Sequence, residues 1–302
     1  MRKHIEFRNY TQSKFSDMEN HRHAPQMSIY TCPMPPEVNG TQGNSCSTCG
    51  MDLRSVQQEN PDQYQVQLTT LPQIIEAGHP VRLLFAIKKN QKQVALDISD
   101  EMNIHVMVIS EDLNWFRHIH PVLQQDGSYA VTQTFHNGGK YHLFTYFKPL
   151  GKEHVLNMLE IEVKGYYMTS REVASKKPIC YIDDYTVILE NTDNFKTGNI
   201  QRIKIAIEKC EKKLHNSSLE QYLGTSAHIL MINKTDKEFL QIRPIPHVQY
   251  PIYAETNITK AGKYKMWVQF KIHGKVHTAD FNIDIRSIKE SEKEVKLRQH
   301  QV

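Results

Sequence analysis

The chain has 302 residues, of which 39% are apolar and 23% charged, and its formal net charge is +4. This composition is typical of globular domains, and the length allows two ordinary domains and a small appendage. Basic residues are spread along the chain without a nucleic-acid-binding motif, and no apolar run approaches the roughly 20 residues that span a bilayer. Neither nucleic-acid binding nor a transmembrane segment is therefore predicted.

The first segment, residues 1–29, is predicted to be a flexible N-terminal arm. It begins with basic residues but shows neither the apolar core nor the small-residue cleavage site of an export signal. Methionine and histidine are mixed between Met18 and Met27, and this stretch includes His21 and His23. Such tracts can gather copper, and the alternative is a solvated linker.

Residues 30–54 hold a concentration of sulfur ligands. The candidate metal ligands are Cys32, Met34, Cys46, Cys49 and Met51. The segment is too short and polar to bury a core, so an ion held by the three thiolates would supply its folding free energy. The Cys-x-x-Cys spacing is that of a zinc knuckle, whereas thioethers beside thiolates favour Cu(I) or Ag(I), with Zn(II) as the alternative. The methionines could instead pack over a structural zinc ion.

This segment resembles the heavy-metal-binding domain family, whose pattern is Tyr-x-Cys-Pro-Met-His-Pro, a spacer, and Cys-Pro-x-Cys-Gly-Met-x-Leu. The match runs from Tyr30 to Leu53 and departs at Pro35, where the family has histidine, and at Ser47, where it has proline. His21 or His23 could replace the missing imidazole. Members occur on copper and silver efflux adaptors, metal-transporting ATPases and small envelope proteins. The resemblance implies a metal buffer, chaperone or efflux accessory in the periplasm or cell envelope, with an efflux component or another envelope protein as partner.

The remainder of the chain contains two similar repeats. His105 aligns with His228, and Gly139-Lys-Tyr141 with Gly262-Lys-Tyr264, at an offset of 123 residues. Upstream, residues 81–87 align with residues 201–207 at an offset of 120, which requires a small loop insertion. Duplication is the simplest explanation.

Both repeats have the pattern of short strands. Apolar and polar residues alternate over short runs such as Tyr64 to Leu68, and turn sequences such as Asn137-Gly-Gly139 separate the runs. We predict a mainly β protein with two tandem antiparallel β-sandwiches of immunoglobulin-like type, preceded by the metal-dependent knuckle; a small barrel is the alternative. The predicted boundaries are repeat 1 at 62–164, a linker at 165–184, repeat 2 at 185–286 and a charged tail with helical pattern at 287–302.

The first repeat contains a candidate second metal site. His118 and His120 are two residues apart in Phe116-Arg-His-Ile-His-Pro121, which places them on one face of an extended segment, and His105 lies on an adjacent predicted strand. Imidazoles suit copper, zinc or nickel, and Met107 could join them. The alternative is that the histidines satisfy polar groups at a strand end.

The second repeat helps to distinguish a metal site from a structural role for these histidines. It keeps His228, the equivalent of His105, but has Gln241 and Arg243 in place of the other two histidines, which favours a shared structural hydrogen bond for His105. The body resembles sandwich repeats that follow the metal-binding segment in envelope proteins and carry a Phe-x-His-x-His-Pro motif.

No catalytic function is predicted, since the chain has no nucleophile elbow, phosphate loop or zincin motif. The main alternative to metal handling is a protein-interaction module of tandem sandwiches with a purely structural zinc knuckle. Cys180 and Cys210 could form a disulfide or remain two unrelated thiols.

Overall fold

The computed structural model describes residues 64–167, 178–191 and 195–287, together with the backbone of three two-residue strands before them. The predicted arm, most of the predicted knuckle and the predicted helical tail lie outside these residues. The chain divides into two compact units, one holding the strands from Tyr64 to Lys164 and the other those from Ile179 to Ile285. In the part of the chain that is described, no helix has the length and apolar character needed to cross a membrane.

The three N-terminal strands form a small antiparallel sheet with β1 in the centre. They are β1 (Tyr30–Thr31), β2 (Asn39–Gly40) and β3 (Arg54–Ser55). Tyr30 lies opposite Gly40 on one side, and Thr31 lies opposite Arg54 on the other. The residues that flank the segment 32–53 are therefore paired with each other.

The first repeat forms two facing sheets. One sheet has the order β11-β12-β6-β4, with β7 paired to β6, and the other has the order β10-β9-β13-β14-β5, with β8 paired to β13. Every pairing is antiparallel except that of β14 with β5. The strands are β4 (Tyr64–Leu71), β5 (Ile75–Glu76), β6 (Pro80–Lys89), β7 (Lys92–Gln93), β8 (Leu96–Asp97), β9 (Ile104–Ser110), β10 (Phe116–Ile119), β11 (Val122–Leu123), β12 (Tyr129–Thr134), β13 (Gly139–Pro149) and β14 (Val155–Lys164).

Alternation along the strands builds the core between these sheets. In β6 every second residue is buried, and Leu83 and Phe85 are fully enclosed. They face residues such as Val106 and Leu143 of the opposite sheet within one apolar cluster. Successive side chains of a strand point to opposite faces, so residues such as His105 and Met107, which alternate with the core residues of β9, lie on the outer face of their sheet.

The second repeat is built in the same way around its own apolar cluster. One sheet has the order β15-β16-β17-β18, with β21 paired to β17, and the other has the order β20-β19-β22-β23. The strands are β15 (Ile179–Ile182), β16 (Tyr185–Glu190), β17 (Ile200–Lys209), β18 (Lys212–Lys213), β19 (Ala227–Asn233), β20 (Phe239–Ile242), β21 (Ile252–Asn257), β22 (Gly262–Ile272) and β23 (Lys275–Ile285).

The structure confirms the duplication and places the insertion. The strand pairs β9 and β19, β10 and β20, and β13 and β22 have equal lengths and keep the offset of 123 residues. From the end of β7 to the start of β9 the chain advances 104 − 93 = 11 positions, whereas from β18 to β19 it advances 227 − 213 = 14. The three additional residues lie in the connection that contains a 3-10 turn at Asn216–Ser218.

A tyrosine at the start of an inner strand marks both sandwiches as immunoglobulin-like. Tyr141 donates a hydrogen bond from its hydroxyl to the carbonyl of Asn137 (2.9 Å), and Tyr264 donates the equivalent bond to the carbonyl of Lys260 (3.0 Å). A tyrosine that bonds back to the chain a few residues upstream is the tyrosine corner of this fold. With two separate sheets in each repeat, the predicted sandwich is confirmed and the small barrel is ruled out.

The structure adds a strand that the sequence did not predict, and it decides between the two alternatives for Cys180 and Cys210. Within the predicted linker 165–184, residues 179–182 form β15, an edge strand that pairs with β16. Four residues beside a charged stretch are too few to show alternation, so the pattern did not reveal this strand. Cys180 and Cys210 are both free thiols, so the disulfide alternative does not hold.

Candidate metal centre

The structure describes one of the two predicted metal sites. The five sulfur residues Cys32, Met34, Cys46, Cys49 and Met51 lie outside the described residues, as do His21 and His23, so their predicted roles stay predictions. His105, His118 and His120 are described, and they form a single group. Met107 also lies on this face, directly opposite His118.

The hairpin of β9 and β10 brings the three histidines together. Its antiparallel register pairs His118 with Met107 and Ile119 with Val106, so His118 shares the outer face with His105 and Met107. His120 follows β10 by one residue, and its ring makes an edge contact with the ring of His105. The core residues Val106 and Ile119 point the other way, into the sandwich.

The imidazoles are close enough to share one ligand. One nitrogen from each ring can be chosen so that all three lie within 4.8 Å of one another. Nδ1 of His105 is 3.1 Å from Nε2 of His118. The ring centre of His105 lies 5.2 Å from that of His118 and 5.4 Å from that of His120. His105 is buried, whereas His118 and His120 are half-buried, so the group opens towards solvent on one side.

A backbone hydrogen bond fixes the orientation of His105. Its Nε2 lies 2.9 Å from the carbonyl oxygen of Ser99. A carbonyl can only accept, so Nε2 carries the proton, and in the neutral ring the lone pair is on Nδ1, which faces His118. The Ser99 carbonyl is held by a tight turn to Met102, in which Asp100 (φ 49°) and Glu101 (φ 66°) adopt the left-handed conformation.

The second sandwich has the same hydrogen bond from a histidine to a backbone carbonyl, but it lacks the other two histidines. Nε2 of His228 lies 3.0 Å from the carbonyl of Tyr222, which is the equivalent of Ser99, and Tyr222 also closes a tight turn, with Thr225. Gln241 occupies the place of His118, opposite Leu230. The hydrogen bond of His105 is therefore a structural feature that both repeats share, as the sequence indicated, whereas the first repeat alone has histidines at the positions of His118 and His120.

Residues that the sequence analysis missed surround this group. Ser99 contributes the orienting carbonyl, and its hydroxyl oxygen lies 2.8 Å from Nε2 of His154. The ring of His154 stacks on Tyr146 at 4.8 Å, and Tyr146 lies opposite His105 on β13. Ser99 and Tyr222 are equivalent positions of the two repeats, since they are separated by 222 − 99 = 123 positions. Their side chains differ, because each residue contributes its backbone carbonyl and not its side chain. No side-chain motif could have revealed it.

A separate histidine, His142, contacts two carboxylates farther along the outer face. His142, which is buried, contacts Glu111 at 2.6 Å through Nε2 and Glu160 at 3.5 Å through Nδ1. The two carboxylates hold this ring in place on the side of β13 that also carries Tyr146. The three-histidine group is therefore distinct from the histidine that is paired with acidic residues.

Comparison with protein families gives two matches. A domain of unknown function, DUF8832, matches residues 58–165 and again residues 180–287, which together make up more than half of the chain. The heavy metal binding domain matches residues 29–56, the segment that contains all five predicted sulfur ligands. A search of curated proteins finds no match.

Several solved structures are similar at low identity. Fibronectin(III)-like modules of CbhA from Clostridium thermocellum are 12% identical with a TM-score of 0.22, and the match covers 74% of this chain and 96% of that one. The Escherichia coli adhesin FdeC is 12% identical with a TM-score of 0.25, covering 82% and 72%. Salmonella alpha-2-macroglobulin is 10% identical with a TM-score of 0.27, covering 74% and 15%. These scores carry no argument about function.

Proposed function

We propose that this chain, which belongs to the family of the DUF8832 domain, binds a soft heavy-metal ion through its N-terminal heavy metal binding domain and acts as a metal buffer, chaperone or efflux accessory. The match at residues 29–56 is the observation that carries this proposal, since it supports metal binding in general. The ion favoured is Cu(I) or Ag(I), with Zn(II) as the alternative. The tandem sandwiches are proposed to be a non-catalytic body.

The chemistry of the donor set supports a soft ion. Three thiolates from Cys32, Cys46 and Cys49 and two thioethers from Met34 and Met51 are the ligands that Cu(I) and Ag(I) prefer. The family histidine is replaced by Pro35, which removes an imidazole that would suit zinc. A structural zinc site of three thiolates would gain nothing from the two thioethers.

The small N-terminal sheet supports a closed loop. Thr31 lies opposite Arg54 in an antiparallel pair, so the chain positions that flank residues 32–53 are about 5 Å apart. A loop whose ends already meet loses less conformational entropy when an ion crosslinks its interior. Ion binding to this segment would then add directly to its folding free energy.

The second candidate function is a protein-interaction module in which the N-terminal segment is a structural zinc knuckle. Tandem sandwiches fit this alternative, and the edge strand β11 exposes Val122 and Leu123 to solvent at 66% and 54% of their surface. Scattered exposed apolar residues are normal on soluble proteins, so this observation supports the alternative only weakly.

Competition titration with Cu(I) and Zn(II) tests the proposal. The purified chain is titrated in parallel with Cys32→Ser, with Met34→Leu plus Met51→Leu, and with Cys210→Ser, an exposed cysteine outside the segment, as the matched control. We expect Cys32→Ser to abolish tight Cu(I) binding and the methionine changes to weaken Cu(I) affinity by about tenfold or more while leaving Zn(II) affinity unchanged. If only Zn(II) binds and the methionine changes are silent, the structural zinc knuckle is the correct assignment.

The proposal includes a location in the cell envelope, which is where the resemblance places such proteins. Fractionation of cells that carry a C-terminally tagged chain, with enzymes of known compartment as markers, checks this location. Recovery of the tagged chain with the cytosolic marker alone would contradict it.

A further inference from the structure

We propose that His105, His118 and His120 form a second metal site in the first sandwich, separate from the cysteine and methionine segment and suited to a divalent transition-metal ion such as Zn²⁺ or Cu²⁺. This inference goes beyond the proposed function and does not depend on it. The ligands are Nδ1 of His105, Nε2 of His118 and one ring nitrogen of His120.

The distances fit a shared ion with a small adjustment. Zinc binds histidine nitrogen at about 2.0–2.1 Å, so two nitrogens on one tetrahedral ion lie about 3.3–3.4 Å apart. Nδ1 of His105 and Nε2 of His118, at 3.1 Å, already have nearly this separation. One nitrogen from each ring can be chosen so that all three lie within 4.8 Å of one another, so no separation has to shorten by more than about 1.5 Å, which side-chain rotation of the two half-buried histidines allows.

The hydrogen bond of His105 has the form of a metal-ligand support. Metal-binding histidines almost always donate the second ring N–H to a carboxylate, a backbone carbonyl or water, which fixes both the tautomer and the ring orientation. His105 donates from Nε2 to the Ser99 carbonyl, and this leaves the Nδ1 lone pair directed at its histidine neighbours. The carbonyl itself is held by the turn to Met102, so the ligand nitrogen is oriented by backbone structure.

The second repeat shows that the sandwich does not need the other two histidines. His228 makes the equivalent hydrogen bond, at 3.0 Å, in a sandwich where Gln241 and Arg243 replace His118 and His120. The strand register is the same in both repeats, with His118 opposite Met107 and Gln241 opposite Leu230. Histidines at 118 and 120 are therefore not required by the hairpin, and a shared ligand accounts for their convergence.

The donor set selects the class of metal. The group offers three imidazoles and no thiolate or carboxylate, and imidazole suits zinc, copper, iron and nickel. Among divalent first-row ions the usual order of affinities places Cu²⁺ above both Ni²⁺ and Zn²⁺ at such a site. The N-terminal segment has soft sulfur ligands instead, so the two sites are expected to select different oxidation states of copper.

The experiment uses the full chain with Cys32, Cys46 and Cys49 changed to serine, which removes the thiolate ligands. In this background His118→Gln with His120→Arg copies the residues of the second repeat and is expected to fold, which circular dichroism and thermal unfolding verify. The matched control is His79→Gln with His136→Gln, two exposed histidines of the same sandwich. Zn²⁺ is titrated against a chromophoric chelator, and Cu²⁺ is followed by electron paramagnetic resonance.

We expect one equivalent of Zn²⁺ to bind the triple-serine chain and its control, and the copied variant to bind at least about a hundredfold more weakly. The Cu²⁺ spectrum should show nitrogen coupling that the copied variant loses. No binding to the triple-serine chain, or equal binding by the copied variant, would overturn the site; the second result would assign the ion to other ligands of the chain. A failure of the cysteine and methionine segment appears separately, as lack of Cu(I) binding to the unmodified chain.

Discussion

Replacing the corner tyrosines by phenylalanine tests whether the two sandwiches are held by equivalent interactions. Tyr141→Phe removes the hydroxyl that donates to the Asn137 carbonyl, and Tyr264→Phe removes the one that donates to the Lys260 carbonyl. The ring of Tyr141 packs on Phe135 and Trp115, with centres 4.8 and 5.5 Å away, and phenylalanine keeps these contacts. The change therefore isolates the hydrogen bond from the packing.

The expected cost is the net value of a buried hydrogen bond, about 1–2 kcal/mol for each tyrosine, since the carbonyl loses its donor. Burial raises the pKa of the Tyr264 phenol, so the hydroxyl remains a donor at neutral and moderately alkaline pH. For a sandwich of about 100 residues, a loss of 1 kcal/mol lowers the unfolding midpoint by roughly 4–8 °C. We expect a shift of this size in the transition of the sandwich that carries the change.

Differential scanning calorimetry of the two variants measures the shifts. Tyr166→Phe and Tyr181→Phe are the controls, because these side chains are 86% and 76% exposed and should change the midpoint by less than the error. The assignment of these hydrogen bonds as stabilising would be refuted if the unfolding midpoint stayed unchanged in both corner variants. It would also be refuted if the midpoints of the controls fell as far as those of the corner variants.

Three other outcomes follow from the structure. Burial is the main cause that raises the pKa of the Cys180 thiol, whereas Cys210 is exposed. Iodoacetamide at neutral pH should therefore alkylate Cys210 well before Cys180, which mass spectrometry of peptides would show. Equal alkylation rates would contradict this difference. The hydrogen bond from Lys275 lowers the pKa of Asp183, so the stability contributed by the Asp183 carboxylate is present at neutral pH and is lost as the pH falls below about 4. The free energy of urea unfolding should therefore depend less on pH below about 4 in Asp183→Asn than in the unmodified chain. An unchanged pH dependence would be evidence against the ion pair. A Cβ at Gly138 would overlap the carbonyl oxygen of Gly165, so Gly138→Ala should lower the free energy of unfolding by about 1–3 kcal/mol, and an unchanged urea midpoint would show that this backbone contact can relax.

Much of the fold could be predicted from local patterns. Alternation in runs such as Tyr64 to Leu68, which lies in β4, and the offset of 123 residues predicted two repeated sandwiches, and the strand pairings confirm both. Strand alternation is a local consequence of the pleat, so it can be read without knowing which strands pair. β15 is the exception, because four residues at a sheet edge carry too short a pattern.

A heavy metal binding domain could be recognised from the sequence alone, because the spacing of the cysteines and methionines between Cys32 and Met51 is a property of the linear chain, and the family comparison agrees on the domain. The sequence also showed that His118 and His120 share one face. That His105 joins them, and that the carbonyl of Ser99 orients it, became visible in the folded chain. Convergence of residues on two strands depends on the register between the strands, and a shift of one residue would turn His118 towards the core. That register is set by the packing of the whole sandwich, which no local pattern contains.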